Sequence, residues 1–589
     1  MAAHFITDFW TQNGRSLQRP NLTCLTQDSL NYKTLLLQIQ DEIEYDNTGI
    51  WGANKQRAKK KFDKFFDIAL NEAVELAITP EYSCPWDSIV DLLFQNRFPQ
   101  QDKVWIIGCQ SINPIELKAI ITANENIIWI YDEDLLEQKI KTEAHKFFDP
   151  VCYFLNTNNN NGEPNKVIII QFKNYPFGGS EAIWERDNLI LGNTFYVISN
   201  QSESSRLVTL ICSDTLDTID FNSVQGGMFL NIPLLVVHIQ LNQKPFKDNY
   251  KNYRNLIFSK GSKDLNKEMI CLNWARNVTY LEHGETKVFN QYGGSGFYLK
   301  SERLNKDDVR INENHALGLY YTSWNAKRAN IYFLNFDEFV FLVENTKPSQ
   351  LEADPTQYNR SGPKMLKAYS WKDDKWDRVT HKICDGFVNI VKEAEDGNGD
   401  LSCLMANNYI DVERLIELTN GELLSLESWY SALNLNSFSV TDSEVNNRIL
   451  FNHDPDIESL KNRKKKVVNY AILKYGIISN SENLPYGFEQ VELKLDLNNA
   501  NPDKYLINLH SNNSRIGTGI YLSSATQQEA IKIKNKIANL FKETQQGKMV
   551  LVWYEQASGR KREPVTLPIP TIKENVSNQL NSFRKKEKL

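Results

Sequence analysis

A set of continuous apolar runs does most to limit what this chain can fold into. Residues 167–172 (VIIIQF), 207–212 (LVTLIC), 234–239 (LLVVHI) and 269–274 (MICLNW) are apolar almost throughout rather than at every second position. A strand with one wet face alternates, so continuous runs predict strands covered on both faces. Between earlier runs lie helical patterns. Residues 53–73 (ANKQRAKKKFDKFFDIALNEA) carry Phe62, Phe65, Phe66 and Leu70 on one stripe. Residues 86–94 read as a further helix, and INPIELKAIITAN opens one with a proline near its start. Strands that alternate with helices predict an α/β architecture.

The 589 residues exceed one ordinary domain. Residues 347–364 (KPSQLEADPTQYNRSGPK) hold three prolines and no apolar period, so a linker is expected over 347–370. Residues 1–30 read as an N-terminal extension, 31–346 as the α/β domain and 371–589 as a C-terminal α+β domain. In that last part, 371–436 is expected to be mostly helical and 437–589 to mix helices with strands. Residues 156–165 (NTNNNNGEPN) read as a polar, turn-rich insertion.

Composition excludes several classes. A net charge of −6 over this length gives no global case for nucleic-acid or membrane binding. The N-terminus lacks the charged start and apolar stretch of a signal peptide. No run of about 18 apolar residues predicts a membrane span. The eight cysteines are scattered, with no CxxC pair, which fits reduced thiols and a cytoplasmic protein.

Three polar residues stand where apolar runs end: Glu81 in ELAITPEYSCPW, Lys173 in KVIIIQFKNYPFGG and Cys212 in LVTLICSDTLD. Taken singly, these read as a loop acid, a strand-end charge and a small core thiol. Together they are the parts needed to attack a carbon–nitrogen bond. A thiol is mostly protonated at neutral pH and needs a base beside it, which a carboxylate supplies. The oxygen or nitrogen that gains negative charge needs a cation in a dry site. Strand ends in α/β sheets are where such groups meet.

These contexts resemble the nitrilase, or carbon–nitrogen hydrolase, superfamily. TPEYSCPW is similar to its strand–Pro–Glu base motif, QFKNYPFGGSEAIWE to its lysine motif with a following glutamate, and LICSDTLD to its nucleophile elbow. HIQLNQ, YRNLIFSKG, MICLNWARN and YGGSGFYLKS resemble the later stretches. The resemblance covers about residues 30–345 and implies a nitrilase-like α-β-β-α sandwich. By its roles, Glu81 is the general base, Lys173 holds the tetrahedral intermediate and Cys212 is the nucleophile that forms a thioester or thioimidate. The Ser213 backbone N–H helps stabilise the oxyanion. Glu181 or Glu185 orients the lysine, with Glu181 preferred by its spacing. The resemblance implies no metal and no organic cofactor, a small-molecule substrate, and a homo-oligomer, a dimer or larger. Two features depart from the family pattern. The interval from Glu81 to Lys173 is long, with 124–148 and the Asn-rich insertion accounting for the excess. The first strand, for which TLLLQIQ is the best match, starts far from Met1.

Other signals are weaker. DGNGD at 396–400 opens like a calcium loop, but Leu401 and Asn407 stand where such a loop needs Gly and Glu, so a turn is expected. KNRKKK at 461–466 and FRKKEKL at the C-terminus read as a solvated helix face and a tail. No phosphate-cradle motif appears. The sequence thus points first to a hydrolase of a non-peptide amide, carbamoyl or nitrile bond in a small molecule. Two other readings compete with it. One is a nitrilase-like effector or sensor controlled by the C-terminal domain or a regulatory partner, as in bacterial anti-phage systems where such domains are fused to unrelated modules. The other is a scaffold of this fold without turnover.

Overall fold

The computed structural model describes residues 2–5, 17–26, 31–159, 161–177, 183–200, 205–215, 233–243, 253–254, 257–258, 267–282, 285–290, 294–300, 304–305, 308–324, 329–346, 360–383, 386–406, 409–422, 457–479, 484, 493–495, 506–511, 514–541, 549–555 and 563–564. They fall into two compact units, the first ending at Ile383.

The first unit is built on two mixed sheets. One has nine strands in the order Lys375–Arg378, Lys364–Lys372, Phe339–Thr346, Asn31–Gln38, Leu76–Ile78, Val104–Gly108, Pro150–Asn158, Pro164–Phe172 and Ile128–Ile130. The other has eight, in the order Ala2–Phe5, Thr194–Ser199, Arg206–Ile211, Leu234–Ile239, Lys267–Leu272, Gly296–Lys300, Ala329–Leu334 and Leu319–Trp324. The continuous apolar runs form the inner strands. Leu234–Ile239 and Lys267–Leu272 pair in parallel and are buried along their whole length. Gln171 joins the two sheets. Its amide donates to the Thr209 carbonyl at 3.0 Å, and its Oε1 accepts the Tyr196 N–H at 3.1 Å.

Helices cover the nine-stranded sheet. Lys55–Asn71 starts at Asn54, whose side chain accepts the Arg57 N–H, and it buries Phe62, Phe65 and Phe66. Phe66 stacks on Trp105 of the strand Val104–Gly108 with ring centroids 5.5 Å apart. Burying three phenylalanines contributes roughly 1.5–3 kcal/mol each, so this stripe fixes the helix against the sheet. Pro114–Ala123 has Pro114 in its first turn and Asn113 as its cap.

Three segments differ from the sequence expectation. The Asn-rich stretch adds length to a hairpin: Pro150–Asn158 and Pro164–Phe172 pair from Pro150↔Phe172 to Asn158↔Pro164. Residues 364–370, expected in the linker, pair antiparallel with Phe339–Thr346. Only Met365, Ala368 and Tyr369 of that strand are deeply buried, so its apolar pattern is too sparse to read. Residues 371–378, expected to be helical, complete a hairpin through Asp373 and Asp374. Both have positive φ, 49° and 59°, as a tight hairpin turn requires.

The second unit comprises the described residues from Gly386 on. It has a five-stranded sheet in the order Leu493–Leu495, Leu509–Ser511, Ser514–Ser523, Met549–Glu555 and Glu563–Pro564. Ser514–Ser523 and Met549–Glu555 run parallel, joined through the helix Gln527–Ala538. Helices Phe387–Glu395, Tyr409–Thr419 and Ile457–Ala471 belong to the same unit. The DGNGD stretch makes a turn, in which Asp400 accepts the Ser402 N–H at 2.9 Å. Among the described residues no helix is long and apolar enough to cross a membrane.

Candidate active site

Glu81 follows the three-residue strand Leu76–Ile78, and its backbone is held on several sides. The Trp274 indole donates to the Glu81 carbonyl at 2.7 Å, and Ser83 Oγ donates to Pro80 O at 2.6 Å. Gly108, on the neighbouring strand, packs so closely that a Cβ there would stand 2.1 Å from Pro80 O. The side chain is 1% exposed. Its Oε2 accepts the Leu241 N–H at 2.5 Å, and its Oε1 meets Lys173 Nζ at 2.7 Å.

Lys173 leaves the end of Pro164–Phe172. Its N–H donates to Asp149 O at 2.9 Å, and its carbonyl accepts the Gly192 N–H at 2.8 Å. The buried ammonium contacts Glu81 and Glu185 and lies 3.6 Å from Asp149. Burial opposes its charge, but Glu185, Glu81, Cys212 and Asp149 outweigh this and hold it well above the usual lysine range. Glu185 sits in the short helix Ile183–Asn188. Its Oε1 also accepts the Tyr82 hydroxyl at 3.0 Å, and its Oε2 accepts the Phe177 N–H at 3.0 Å. The second carboxylate on the lysine is thus Glu185. Glu181, preferred on spacing, lies outside the described residues.

Cys212 begins the tight turn Cys212–Thr215 that ends the strand Arg206–Ile211. Its φ is +39°, a conformation that costs an L-residue about 1–2 kcal/mol. Hydrogen bonds around the turn hold it there. Asp214 accepts the N–H groups of Asn174 (2.8 Å), Tyr175 (3.0 Å) and Ile211 (3.2 Å). Ser213 Oγ donates to Tyr175 O at 2.6 Å. The cysteine turn is therefore tied to the two residues that follow Lys173. Burial pushes the Asp214 carboxyl up to about 7 against the pull of those N–H groups. His238 Nε2 lies 3.0 Å from the Cys212 carbonyl. A carbonyl only accepts, so Nε2 carries the proton. Burial lowers this imidazole to about 3 and keeps it neutral.

Asp149 completes the cluster. It is 1% exposed, and no N–H or O–H of another described residue donates to either carboxyl oxygen. Oxygens of Glu81, Asp149 and Glu185 lie within 4.8 Å of one another, a spacing a divalent cation could bridge. The Lys173 ammonium already contacts two of these acids and approaches the third, so it takes the part a cation would play. Three acids and one ammonium cannot all be ionised in a dry site. Burial, then Glu81, push the Asp149 carboxyl well above the usual range, so it holds the proton. Sequence reading missed Asp149 and His238. Asp149 had the same signal as the other site residues, a polar group against an apolar run (FFDPVCYFL). His238 lay inside such a run and read as core.

No family model matches the chain, and no curated protein matches it. Among solved structures, a CN-hydrolase superfamily protein from Xanthomonas campestris, with an arsenic adduct in its active site, aligns at 10% identity and a TM-score of 0.27, covering 46% of this chain and 83% of its own. An amidase from Nesterenkonia sp. aligns at 12% identity and a TM-score of 0.24, covering 48% of this chain and 84% of its own. A variant of the Nesterenkonia AN1 amidase, placed in the nitrilase superfamily, aligns at 11% identity and a TM-score of 0.26. The likeness to carbon–nitrogen hydrolases lies in the N-terminal part of the chain.

Proposed function

We propose that the first unit is a thiol-dependent hydrolase of a non-peptide carbon–nitrogen bond in a small molecule. The observation that carries this reading is the buried Lys173 ammonium between Glu81 and Glu185, with Cys212 held at φ +39° in a turn hydrogen-bonded to the two residues after Lys173. A structural ion pair has no need of a strained cysteine beside it.

The chemistry follows from the groups. Glu81 takes the Sγ proton of Cys212, and the thiolate attacks the carbonyl or nitrile carbon. Lys173 and the Ser213 backbone N–H stabilise the charge on the heteroatom. With an amide, the tetrahedral intermediate collapses as Glu81 returns the proton to the leaving nitrogen. Ammonia or an amine departs and a thioester remains. Glu81 then deprotonates water, which releases the acid and restores the thiol. Tyr82 and Phe177 position Glu185, and Glu185 orients Lys173. A nitrilase-like α-β-β-α sandwich, assembled as a homo-oligomer, is the frame this reading takes.

The test uses purified protein and its Cys212→Ala variant, each incubated with a small-molecule cell extract and followed by mass spectrometry and ammonia release. Loss of a metabolite with the wild type alone supports the reading. Equal turnover by both proteins sinks Cys212 as the nucleophile, and absence of turnover in both favours a scaffold.

A further inference from the structure

The second unit contains a cavity that the hydrolase reading does not use. Its volume is about 520 Å³, within the range of small-ligand sites. It opens beside the βαβ segment. Residues Leu522 to Ala525, at the carboxyl end of Ser514–Ser523, form part of its lining. In α/β sheets the carboxyl end of a parallel strand, before the helix that follows, is where ligands settle.

Two helices line the cavity with polar stripes. From Ile457–Ala471 come Asn462, Lys465, Lys466 and Asn469. From Gln527–Ala538 come Glu529, Lys532 and Lys536. Both sets follow the three- and four-residue spacing of a single helix face. An amphipathic helix ordinarily turns its charged stripe to open water, and the KNRKKK run reads that way in the sequence. Here the two stripes line one cavity, with Lys465 and Lys532 exposed at it, Lys536 half-buried and Lys466 buried.

The charges around it do not cancel. Glu529 is engaged in the cap of its own helix, where it accepts from the Thr526 N–H at 2.7 Å and the Thr526 hydroxyl at 2.9 Å. Glu422 and Glu417 both pair with Lys466 at 2.6 Å. Among the described residues, Lys465, Lys532 and Lys536 form no ion pair. Burial lowers Lys536 below the usual lysine range; the attraction of Glu422 and Glu417 opposes this, and repulsion from Lys532 adds to it as a smaller contribution. The buried hydroxyl of Ser523 has no hydrogen-bond partner. Three unpaired ammonium groups and a spare hydroxyl around one cavity ask for a negative occupant that accepts several hydrogen bonds.

We infer that this cavity binds a small phosphorylated ligand, one with a phosphate or diphosphate group held by Lys465, Lys532 and Lys536. Phosphate suits the set because lysines act on it as point charges and its oxygens accept from several donors at once. The cavity is too small for a duplex, so nucleic acid is the alternative that the experiment separates.

Isothermal titration calorimetry on the full chain tests this with pyrophosphate, adenosine diphosphate, citrate and a short single-stranded oligonucleotide. Pyrophosphate or adenosine diphosphate is expected to bind the wild type. The Lys532→Gln/Lys536→Gln variant, with unchanged thermal unfolding, is expected to bind at least about tenfold more weakly, a change of about 1.4 kcal/mol. Three results overturn the proposal: no heat with either phosphate probe, equal affinity in the variant, or citrate binding as tightly as pyrophosphate. Oligonucleotide binding without binding of the small probes also overturns it. Hydrolysis by the first unit does not enter these readouts, so failure of one reading leaves the other standing.

Discussion

Lys173 Nζ lies 2.7 Å from Glu81 Oε1, although the two residues are 92 positions apart in the chain. Each stands at the end of a different strand of the nine-stranded sheet, so the sheet itself brings the pair together. Removing the cation should expose how much the pair matters to folding. In Lys173→Met, Glu81 and Glu185 stay buried without an ammonium. Breaking a buried pair from one side costs about 3–5 kcal/mol. The melting temperature should fall by several degrees or more and hydrolysis should be lost. A variant that melts with the wild type would show that the acids simply take up protons.

Asp149 gives a prediction with a definite sign. Its carboxyl is held above the usual range in the folded protein by burial and by Glu81. Lys173, Glu185, Tyr82 and Cys109 also face this cluster. A raised acid keeps its proton when folded and loses it when unfolded. Its contribution is therefore fully present below the unfolded value, near 4, and is lost as pH rises through the folded value. Asp149→Asn copies the protonated form and cannot titrate. Relative to wild type, the variant should gain stability as pH rises from about 4 to 8. Urea unfolding of both proteins across that range checks this; a constant difference would show that Asp149 is ionised in the fold.

Gly108 tests how Glu81 is placed. A Cβ at this position would stand 2.1 Å from Pro80 O and 3.0 Å from Glu81 Cα, and neither backbone atom can move aside cheaply. Gly108→Ala should cost about 1–3 kcal/mol by overpacking and shift the carboxylate that meets Lys173. kcat/KM should fall at least about tenfold, since small misplacements of catalytic groups carry large costs. A variant that loses stability but keeps its kcat/KM would separate the packing of this strand from the chemistry.

The parts legible in the sequence were those with a strong local signature. The apolar runs marked the inner strands, and Glu81, Lys173 and Cys212 stood out at their ends, because a polar group beside a buried strand is conspicuous. Glu185 was legible only as one of two acids, since the loop after Lys173 gives no period by which to choose. Asp149 had the same signature as those three residues but carries no motif. The hairpin of 364–378 was hidden because an edge strand buries few residues, and Pro363 and the prolines before it read as a break. The cavity in the second unit could not be read at all. Two polar stripes on separate helices look like two solvated faces until the fold places them around one space.

His238 supplies the last test. Its Nε2–H holds the Cys212 carbonyl at 3.0 Å, and its other ring nitrogen lies 3.3 Å from the Gln240 amide. His238→Ala leaves that buried carbonyl with one partner fewer, the Thr215 hydroxyl at 3.2 Å remaining. The cost should be about 1–3 kcal/mol, and the strained turn that carries Cys212 should loosen. Because burial lowers the imidazole to about 3, the unfolded chain binds a proton here before the folded one does. The stabilisation is present above the unfolded value, near 6.5, and is lost as pH falls toward about 3. The stability difference between wild type and His238→Ala should therefore shrink as pH falls from about 7 to 4, as thermal unfolding at several pH values would show. Within the same range, kcat should show no titration that His238→Ala abolishes. An activity step near pH 6.5 that disappears in the variant would mean that the ring is charged during turnover, and that it acts on the substrate rather than on the backbone of Cys212.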